Sequence, residues 1–238
     1  MKELEDYRWF PPILRQYQTD FIGFMANRFA VYASFVDHLQ KEDSLHNSMF
    51  DLCSGSGEPA VEIFNRVSQF ESLQLSDKFP STNTNFNAPI VYIKESVDAL
   101  KTSFDSSHTY TMFNAFHHFK AFEQQELISK IRLQNAQAYI VEILTPGIFV
   151  CIKIFFTCTL GTLLFTPFIK PFSWRRLLFT YPIPINLFSI TFDGLVSVCK
   201  SKSLKQYQTL FANTIHPPEI VQLKKGLFSL IVIKIKHS

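Results

Sequence analysis

A single strand, loop and helix near residue 50 constrain the fold of this chain more than any other feature of its sequence. An apolar run at 48–53 leads into a turn that contains Gly55 and Gly57, and a helical segment then opens with Pro59. The two glycines let the backbone approach a ligand without an intervening Cβ. The helix presents free N–H groups and the positive end of its dipole, and a proline in its first turn is well tolerated. The unit therefore predicts a ligand-binding loop at the carboxyl end of a strand.

Short apolar runs and helical segments alternate from residue 48 onwards, which is typical of βαβ units and a parallel sheet. The predicted strands lie at 48–53, 73–76, 90–94, 109–114 and 138–144, with helices at 59–68 and 122–134. The end of the chain adds a helix at 204–212 and two strands, 219–223 and 228–236, around a tight turn at 224–226. We therefore predict an α/β fold with a Rossmann-like doubly wound sheet, mostly parallel, that ends in an antiparallel C-terminal hairpin.

Charge and cysteine content narrow the range of functions. The 23 basic and 20 acidic residues give a net charge of +3, which is too balanced for a dedicated nucleic-acid-binding protein. The four cysteines form no C-x-x-C pair and no histidine lies at zinc-ligand spacing, so neither a disulfide framework nor a metal site is predicted. Residues 1–6 lack the apolar run of a secretory signal. We therefore expect a cytoplasmic protein in a reducing compartment.

The glycine loop fits two classes of ligand. Gly55, Gly57 and Ala60 satisfy the G-x-G-x-x-G/A fingerprint of dinucleotide-binding enzymes. Asp51, at the end of the preceding strand, places a negative charge where a pyrophosphate would be repelled. Asp77 follows Gly57 by 20 residues, the separation at which an acid on the neighbouring strand reaches a ribose diol. The acids favour a cationic nucleoside, while the fingerprint leaves a nicotinamide cofactor open.

The loop resembles motif I of class I S-adenosylmethionine-dependent methyltransferases, and with the segment 75–80 it is similar to a bacterial subgroup whose functions are poorly defined. The resemblance implies that Asp51 faces the amino group of S-adenosylmethionine and that Asp77 binds its ribose beside Lys78. Cys53 stands where the family usually has glycine. The remaining cofactor contacts implied in this loop are Ser54, Gly55 and Gly57.

Two further segments extend the resemblance. Residues 96–100 are similar to the adenine-binding segment of the family, in which Val97 would pack on the base and Asp98 would accept from its amine. Asn114, His117 and His118 resemble the segment that many small-molecule methyltransferases place beside the sulfonium, so Asn114 is a cofactor contact and all three are catalytic candidates. A histidine that titrates near neutral pH suits a base, if the acceptor must lose a proton. The pair could equally be a structural cap of the sheet.

The resemblance implies a methyltransferase that acts on an unidentified small-molecule or lipid-like acceptor. Two alternatives stay open at this point. One is an NAD(P)-dependent oxidoreductase that uses the same glycine loop, and the other is a catalytically inactive S-adenosylmethionine-binding protein, suggested by Cys53. The acceptor, the atom that is methylated and the oligomeric state do not follow from the sequence.

The chain of 238 residues suits one elaborated domain in four parts. The first part is an N-terminal helical cap (1–45), and the second is the cofactor-binding Rossmann-like core (46–145). A hydrophobic helical insertion (146–202) follows, and a C-terminal helix with the hairpin (203–238) completes the domain. Within the cap, apolar residues at steps of three and four predict a helix at 20–39.

The insertion contains two apolar stretches. The first, 148–169, has 22 residues with one charge and is long enough to span a bilayer, whereas 177–192 is shorter and broken by two prolines. A basic connector lies between them, with Lys170, Trp174, Arg175 and Arg176 as expected headgroup contacts. Because two crossings would place this connector outside, we favour a peripheral or monotopic element at the inner face of the membrane. A hydrophobic lid over the substrate pocket is the alternative. Asp193 and Gly194 are expected to form a turn, and the alternative is that Asp193 returns a carboxylate to the pocket.

Overall fold

The computed structural model describes residues 1–82 and 85–236. Its strands are β1 (Ser48–Leu52), β2 (Ser72–Ser76), β3 (Ile90–Tyr92), β4 (His108–Phe113), β5 (Gln137–Glu142), β6 (Glu219–Lys225) and β7 (Phe228–Ile235). Its helices are α1 (Pro12–Arg28), α2 (Ala33–Leu39), α3 (Ala60–Arg66), α4 (Ala121–Leu133), α5 (Ile148–Phe165), α6 (Trp174–Thr180), α7 (Ile185–Lys200) and α8 (Leu204–Phe211). Short 3₁₀ turns lie at Phe116–His118 and Thr166–Phe168.

The strands form one sheet in the order β3-β2-β1-β4-β5-β7-β6. Strands β1 to β5 are parallel, whereas β7 runs antiparallel to β5 and β6 antiparallel to β7. This topology confirms the predicted Rossmann-like sheet with a C-terminal hairpin. The chain leaves β1 towards β2 and later returns to β1's other side with β4, so the switch point of the sheet lies between β1 and β4. Ligands of open α/β sheets bind at the carboxyl ends of the strands at such a point.

Both faces of the sheet are covered, which is why the central strands are apolar throughout. All six residues of β5 are buried. Helices α2 and α3 pack on one face, where Val36, Leu39 and Ile63 join Met49 and Leu73 in one apolar cluster. Helices α4 and α8 pack on the other face, in a cluster that includes Leu127, Ile131, Phe211, Met112 and Ile140. This two-sided core holds the carboxyl ends of β1 and β4 in place.

The helix predicted at 20–39 is wrong as a single element. Helix α1 ends at Arg28 and α2 begins at Ala33, with Ala30 between them at φ +49°. Each helix buries an apolar face, so the apolar spacing continues across the break. The two faces lie in different clusters, with Phe21 of α1 against the insertion and Phe35 of α2 against the sheet. The turn of the hairpin is also shifted, because Lys224 and Lys225 belong to β6 and Gly226 has φ +58°.

The insertion consists of α5, α6 and α7, with α5 packed on α7. The turn predicted at Asp193 and Gly194 is wrong, because both residues lie inside α7. A Cβ on Gly194 would approach Sγ of Cys158 to 2.9 Å, so this glycine permits close packing of α7 on α5. The segment Ile148–Phe168, 21 residues long, is apolar enough to cross a membrane, and α6 and α7 would pass the same test only as one span bent by 71°. Length and composition alone support these spans.

Candidate active site

The loop after β1 keeps the backbone conformation that glycine favours, although one of its residues is a cysteine. Cys53 has φ +58°, Gly55 φ +54° and Gly57 φ +103°. The left-handed conformation is unfavourable by about 1–2 kcal/mol for a residue with a Cβ. A glycine at the position of Cys53 would adopt this conformation without that penalty.

Both glycines of the loop are in close contact with neighbouring side chains. A Cβ on Gly55 would lie 2.8 Å from Cγ2 of Thr19 on α1, and one on Gly57 would lie 2.9 Å from the ring of Phe86. The hydroxyl of Tyr92 donates to the carbonyl oxygen of Gly55 at 2.7 Å. The cap helix α1 therefore lies directly on the glycine loop.

Asp51 lies at the carboxyl end of β1 and is 2 % exposed. Its Oδ1 accepts a hydrogen bond of 2.6 Å from Oγ1 of Thr111 on β4. Burial raises the pKa of Asp51 to about 7, with the Thr111 and Ser54 hydrogen bonds opposing the shift and the charge of Asp77 adding to it. The hydroxyls of Ser54 and Ser76 both donate to the carbonyl oxygen of Asp51 and join the ends of β1 and β2. The site therefore holds an acid that lacks a cationic partner within the described residues.

Asp77 follows β2 and faces the same loop. Its carboxylate accepts from the backbone N–H of Gly55 at 2.9 Å and of Phe79 at 2.8 Å. Burial raises its pKa, while these hydrogen bonds and the charge of Arg15 act to lower it. The carbonyl oxygen of Asp77 accepts from the N–H of Val97 at 2.9 Å.

Lys78 and Asp98, next to these residues in the sequence, form an ion pair of 2.9 Å. The structure thus brings together the predicted ribose and adenine segments at the carboxyl ends of β2 and β3. Asp98 also accepts from the N–H of Leu100 at 3.2 Å.

Asn114 and His117 lie beyond the carboxyl end of β4. Asn114 has φ +48°, and its buried Oδ1 has no hydrogen-bond partner in the described part of the chain. Nδ1 of His117 lies 2.7 Å from Oε2 of Glu142, the last residue of β5, whose other oxygen accepts from the N–H of Phe116. Glu142 therefore fixes the orientation of the His117 ring and leaves Nε2 without a hydrogen bond.

His118 is surrounded by carboxylates from the N-terminal segment, residues 3–6. Its ring nitrogens lie 3.0 Å from Asp6, 3.3 Å from Glu3 and 3.7 Å from Glu5. Burial acts to lower the pKa of His118, but the hydrogen bond to Asp6 and the charges of Glu3 and Glu5 outweigh it and raise the pKa to about 9. His118 is therefore a cation at neutral pH in this arrangement.

Asp193 holds the N-terminal segment over the histidines. Its carboxylate accepts from the N–H of Leu4 at 2.6 Å, the N–H of Glu5 at 3.2 Å and Nε2 of Gln18 at 2.9 Å. Nζ of Lys200, about two helical turns further along α7, lies 2.9 Å from Glu3. The sequence analysis missed Glu3 and Glu142. Glu142 lies inside the strand predicted at 138–144, where an acid in an apolar run was detectable, whereas no local signal marks Glu3.

The sheet order, the acid at the end of β1 and the glycine loop together define a Rossmann-like fold of the methyltransferase type. No family model and no curated protein matches the sequence. Among solved structures, the chain is similar to an O-methyltransferase from neocarzinostatin biosynthesis, solved with S-adenosylmethionine and 2-hydroxy-5-methyl naphthoic acid. The TM-score is 0.56 at 10 % identity, over 95 % of this chain and 58 % of that one.

Two other structures give the same result. Human N-acetylserotonin methyltransferase, in complex with S-adenosylmethionine, has a TM-score of 0.54 at 13 % identity, over 93 % of this chain and 56 % of the human chain. A putative O-methyltransferase from Nostoc punctiforme has a TM-score of 0.54 at 13 % identity, over 94 % of this chain and 60 % of that one. The chain therefore spans 56–60 % of the length of these three proteins. At such identities the likeness establishes the shared fold.

Proposed function

We propose that the protein is an S-adenosylmethionine-dependent methyltransferase that acts on a small-molecule or lipid-like acceptor. The observation that carries the proposal is the buried carboxylate of Asp51, at the switch point of the sheet and beside a glycine loop. A buried acid without a cationic partner is unfavourable by itself, and the α-amino group of the cofactor supplies the missing positive charge. The solved methyltransferases of the same fold support this choice of ligand.

The other cofactor contacts follow from the positions of the loops. Asp77 uses one lone pair of each carboxylate oxygen for a backbone N–H, so each oxygen can still accept from a ribose hydroxyl. Val97 and Asp98 would line the adenine end. Cys53, Ser54 and the glycines would surround the amino-acid part of the cofactor.

Methyl transfer needs an acceptor atom in line with the sulfonium methyl group, so positioning supplies most of the catalysis. S-Adenosylmethionine, held by Asp51, Asp77 and the glycine loop, would supply an electrophilic methyl group on its sulfonium sulfur. An acceptor hydroxyl must also lose its proton. Nε2 of His117 is a suitable site for it, since Glu142 holds the opposite nitrogen. Asn114, whose buried Oδ1 has no hydrogen-bond partner among the residues that the structure describes, would orient the acceptor or the cofactor.

The exposed face of the insertion supports an apolar acceptor and contact with a membrane. Phe149, Phe168, Phe172, Trp174 and Phe188 are each more than 60 % exposed. Exposed apolar patches of this kind mark interaction sites. We propose peripheral or monotopic association with the cytoplasmic membrane surface. A lid over the acceptor site is the competing role for the same residues.

One expected headgroup contact does not have the required position. Arg176 is buried, forms an ion pair with Asp20 and donates to the carbonyl oxygen of Ile169 at 3.0 Å. Its guanidinium therefore joins α6 to α1. Lys170 and Arg175 are exposed and remain suitable for contact with lipid headgroups.

The cofactor is tested by titrating the protein with S-adenosylhomocysteine and with NADH in a calorimeter. We expect micromolar or tighter binding of S-adenosylhomocysteine and none of NADH, and loss of binding in Asp51→Asn but not in Asp105→Asn, an exposed acid on a remote loop. NADH binding alone would instead establish an oxidoreductase. An assay with labelled S-adenosylmethionine and cell extract then separates an enzyme from an inactive binding protein.

A further inference from the structure

Three side chains converge at the acceptor end of the site in a way that methyl transfer does not require. One ligand atom from each of Glu3, His117 and His118 lies within 4.8 Å of the other two. Nε2 of His117 is 3.9 Å from Oε1 of Glu3, and Nε2 of His118 is 3.3 Å from Oε2 of the same carboxylate. Two imidazoles and one carboxylate thus face a common point.

A carboxylate contacts the opposite nitrogen of each imidazole. Nδ1 of His117 lies 2.7 Å from Glu142, and Nδ1 of His118 lies 3.0 Å from Asp6. The carboxylate that accepts from Nδ1–H of His117 fixes the tautomer in which Nε2 carries the lone pair. His118 is protonated at neutral pH without a metal, so its Nε2 would release a proton when an ion binds. This carboxylate–histidine arrangement is the usual environment of a histidine that binds a metal.

The nitrogen of His117 that faces the common point has no hydrogen bond. The His117 side chain is fully buried, and Nε2 has no partner among the described residues. A buried polar atom without a partner is unfavourable by about 1–3 kcal/mol, so occupation of this point by an electron-pair acceptor is favourable.

The surrounding charge also favours a cation. Glu3, Glu5, Asp6 and Glu142 contact the two histidines, and Lys200 is the cation that pairs with this group, 2.9 Å from Glu3 and 3.5 Å from Asp6. Burial raises the pKa of Glu5 to about 8, so Glu5 is largely neutral at pH 7. Glu3, Asp6 and Glu142 then face Lys200 and protonated His118, which leaves an excess of one negative charge, and the excess rises to two if an ion displaces the His118 proton. A divalent ion would neutralise part of it.

We propose that Glu3, His117 and His118 bind a divalent first-row transition ion such as Zn²⁺. Two histidines and one carboxylate are a common ligand set of catalytic zinc, with a fourth position for water or substrate. Imidazole nitrogens favour such an ion over Mg²⁺ or Ca²⁺, which prefer oxygen. Tetrahedral zinc holds its ligand atoms about 3.4 Å apart, so the three groups need to move by less than about 1 Å. Lys200 would then pair with Asp6.

The ion site depends on the contacts of these side chains and does not require the proposed methyltransferase activity. Its effect on the fold is to tie the N-terminal segment to the ends of β4 and β5. If methyl transfer also takes place here, a bound ion would lower the pKa of an acceptor hydroxyl in the fourth position, so the hydroxyl would release its proton to solvent. His117 would then serve as a ligand and would not act as the base.

The test uses the full chain freed of metal with a chelator and then titrated with Zn²⁺ against a competing chromophoric chelator. We expect one tightly bound ion, a higher Tm with zinc than with EDTA, and a Co²⁺ derivative without thiolate absorption. Glu3→Gln and His117→Gln should weaken binding by about 100-fold or more, and Glu142→Gln by about 10–100-fold through the outer contact.

Matched controls are His216→Gln, which removes an exposed histidine, and Cys199→Ser, which removes an exposed thiol; both should leave binding unchanged. Glu3 lies outside the sheet, and the Tm of the Glu3→Gln variant in EDTA shows whether this variant has folded. The proposal is overturned if the wild-type chain takes up no stoichiometric zinc, or if uptake persists in His117→Gln and disappears in Cys199→Ser. Binding of S-adenosylhomocysteine, measured on the same samples, reports separately on the proposed function.

Discussion

Asp51→Asn is expected to make the ligand-free protein more stable at alkaline pH and unable to bind the cofactor. Burial and the nearby charge of Asp77 raise the pKa of Asp51 from 3.8 to about 7. That change corresponds to about 4 kcal/mol against the ionised carboxylate at pH above 7. Asparagine carries no charge, and its amide oxygen can still accept from Thr111. The NH₂ group of the asparagine is buried without a hydrogen-bond partner, which reduces the gain in the free energy of unfolding by about 1–3 kcal/mol.

The expected net gain is therefore about 1–3 kcal/mol at pH 8, measured as the free energy of unfolding in urea. Because the folded pKa is raised, the wild-type carboxyl destabilises the fold only where it ionises. The gain of Asp51→Asn should therefore be largest above pH 7, shrink as the pH falls from 7 towards 4, and disappear or change sign below pH 4. S-Adenosylhomocysteine should raise the Tm of the wild type and not of the variant.

A variant that is less stable than the wild type at pH 8, or a difference that does not change with pH, would refute this reasoning. Asp105→Asn serves as the matched control. Hydrogen bonds from Ser107 lower the pKa of this exposed acid, so its replacement should give no gain at pH 8.

Three further outcomes follow from the structure. Cys53→Gly should raise the stability measured in thermal unfolding by up to about 1 kcal/mol, because it removes the Cβ at φ +58°. Cys53→Ala keeps the Cβ and should bring no gain, so equal effects of the two variants would contradict a backbone cause. Gly57→Ala should destabilise the fold by about 1–3 kcal/mol and weaken cofactor binding in calorimetry, because φ is +103° and a Cβ would meet Phe86 at 2.9 Å. An unchanged Tm would contradict the close packing of the loop. Phe149→Asp should reduce the fraction of protein that sediments with anionic liposomes. Leu133 on α4 is equally exposed, at 85 %, and Leu133→Asp should leave this fraction unchanged. If the wild type does not sediment with liposomes, the insertion is better explained as a lid.

The predictable part of the molecule is the part whose signals are local in sequence. The strand, the glycine loop and the helix that follow one another at 48–66 are specified by adjacent residues, and β1 and α3 lie there. Asp51 and Asp77 each end a strand, so parallel pairing of β1 and β2 places them at one edge of the sheet. The mostly parallel sheet follows from the alternating pattern, and its antiparallel end follows from the C-terminal hairpin.

Elements in the cap and insertion were harder to predict because tertiary contacts override their local signals. The apolar spacing at 20–39 is uninterrupted, yet the helix breaks at Ala30 so that its halves can cover different surfaces. Asp193 and Gly194 read as a turn, but Gly194 lies within van der Waals reach of α5 and is retained inside α7. Local propensity is a weak prior wherever packing decides.

Asp193 also explains why one half of the site was invisible in the sequence. Residues 3–6 carry charges typical of a solvated terminus, and their position depends on one carboxylate of α7 that binds two of their backbone N–H groups. A buried carboxylate satisfied in this way stabilises an otherwise irregular segment. Asp193 holds the backbone of Leu4 and Glu5, and the preceding residue, Glu3, therefore lies against both histidines. The chemistry at the acceptor end is thus set by a contact between distant parts of the chain, whereas the cofactor end is set by neighbours in sequence.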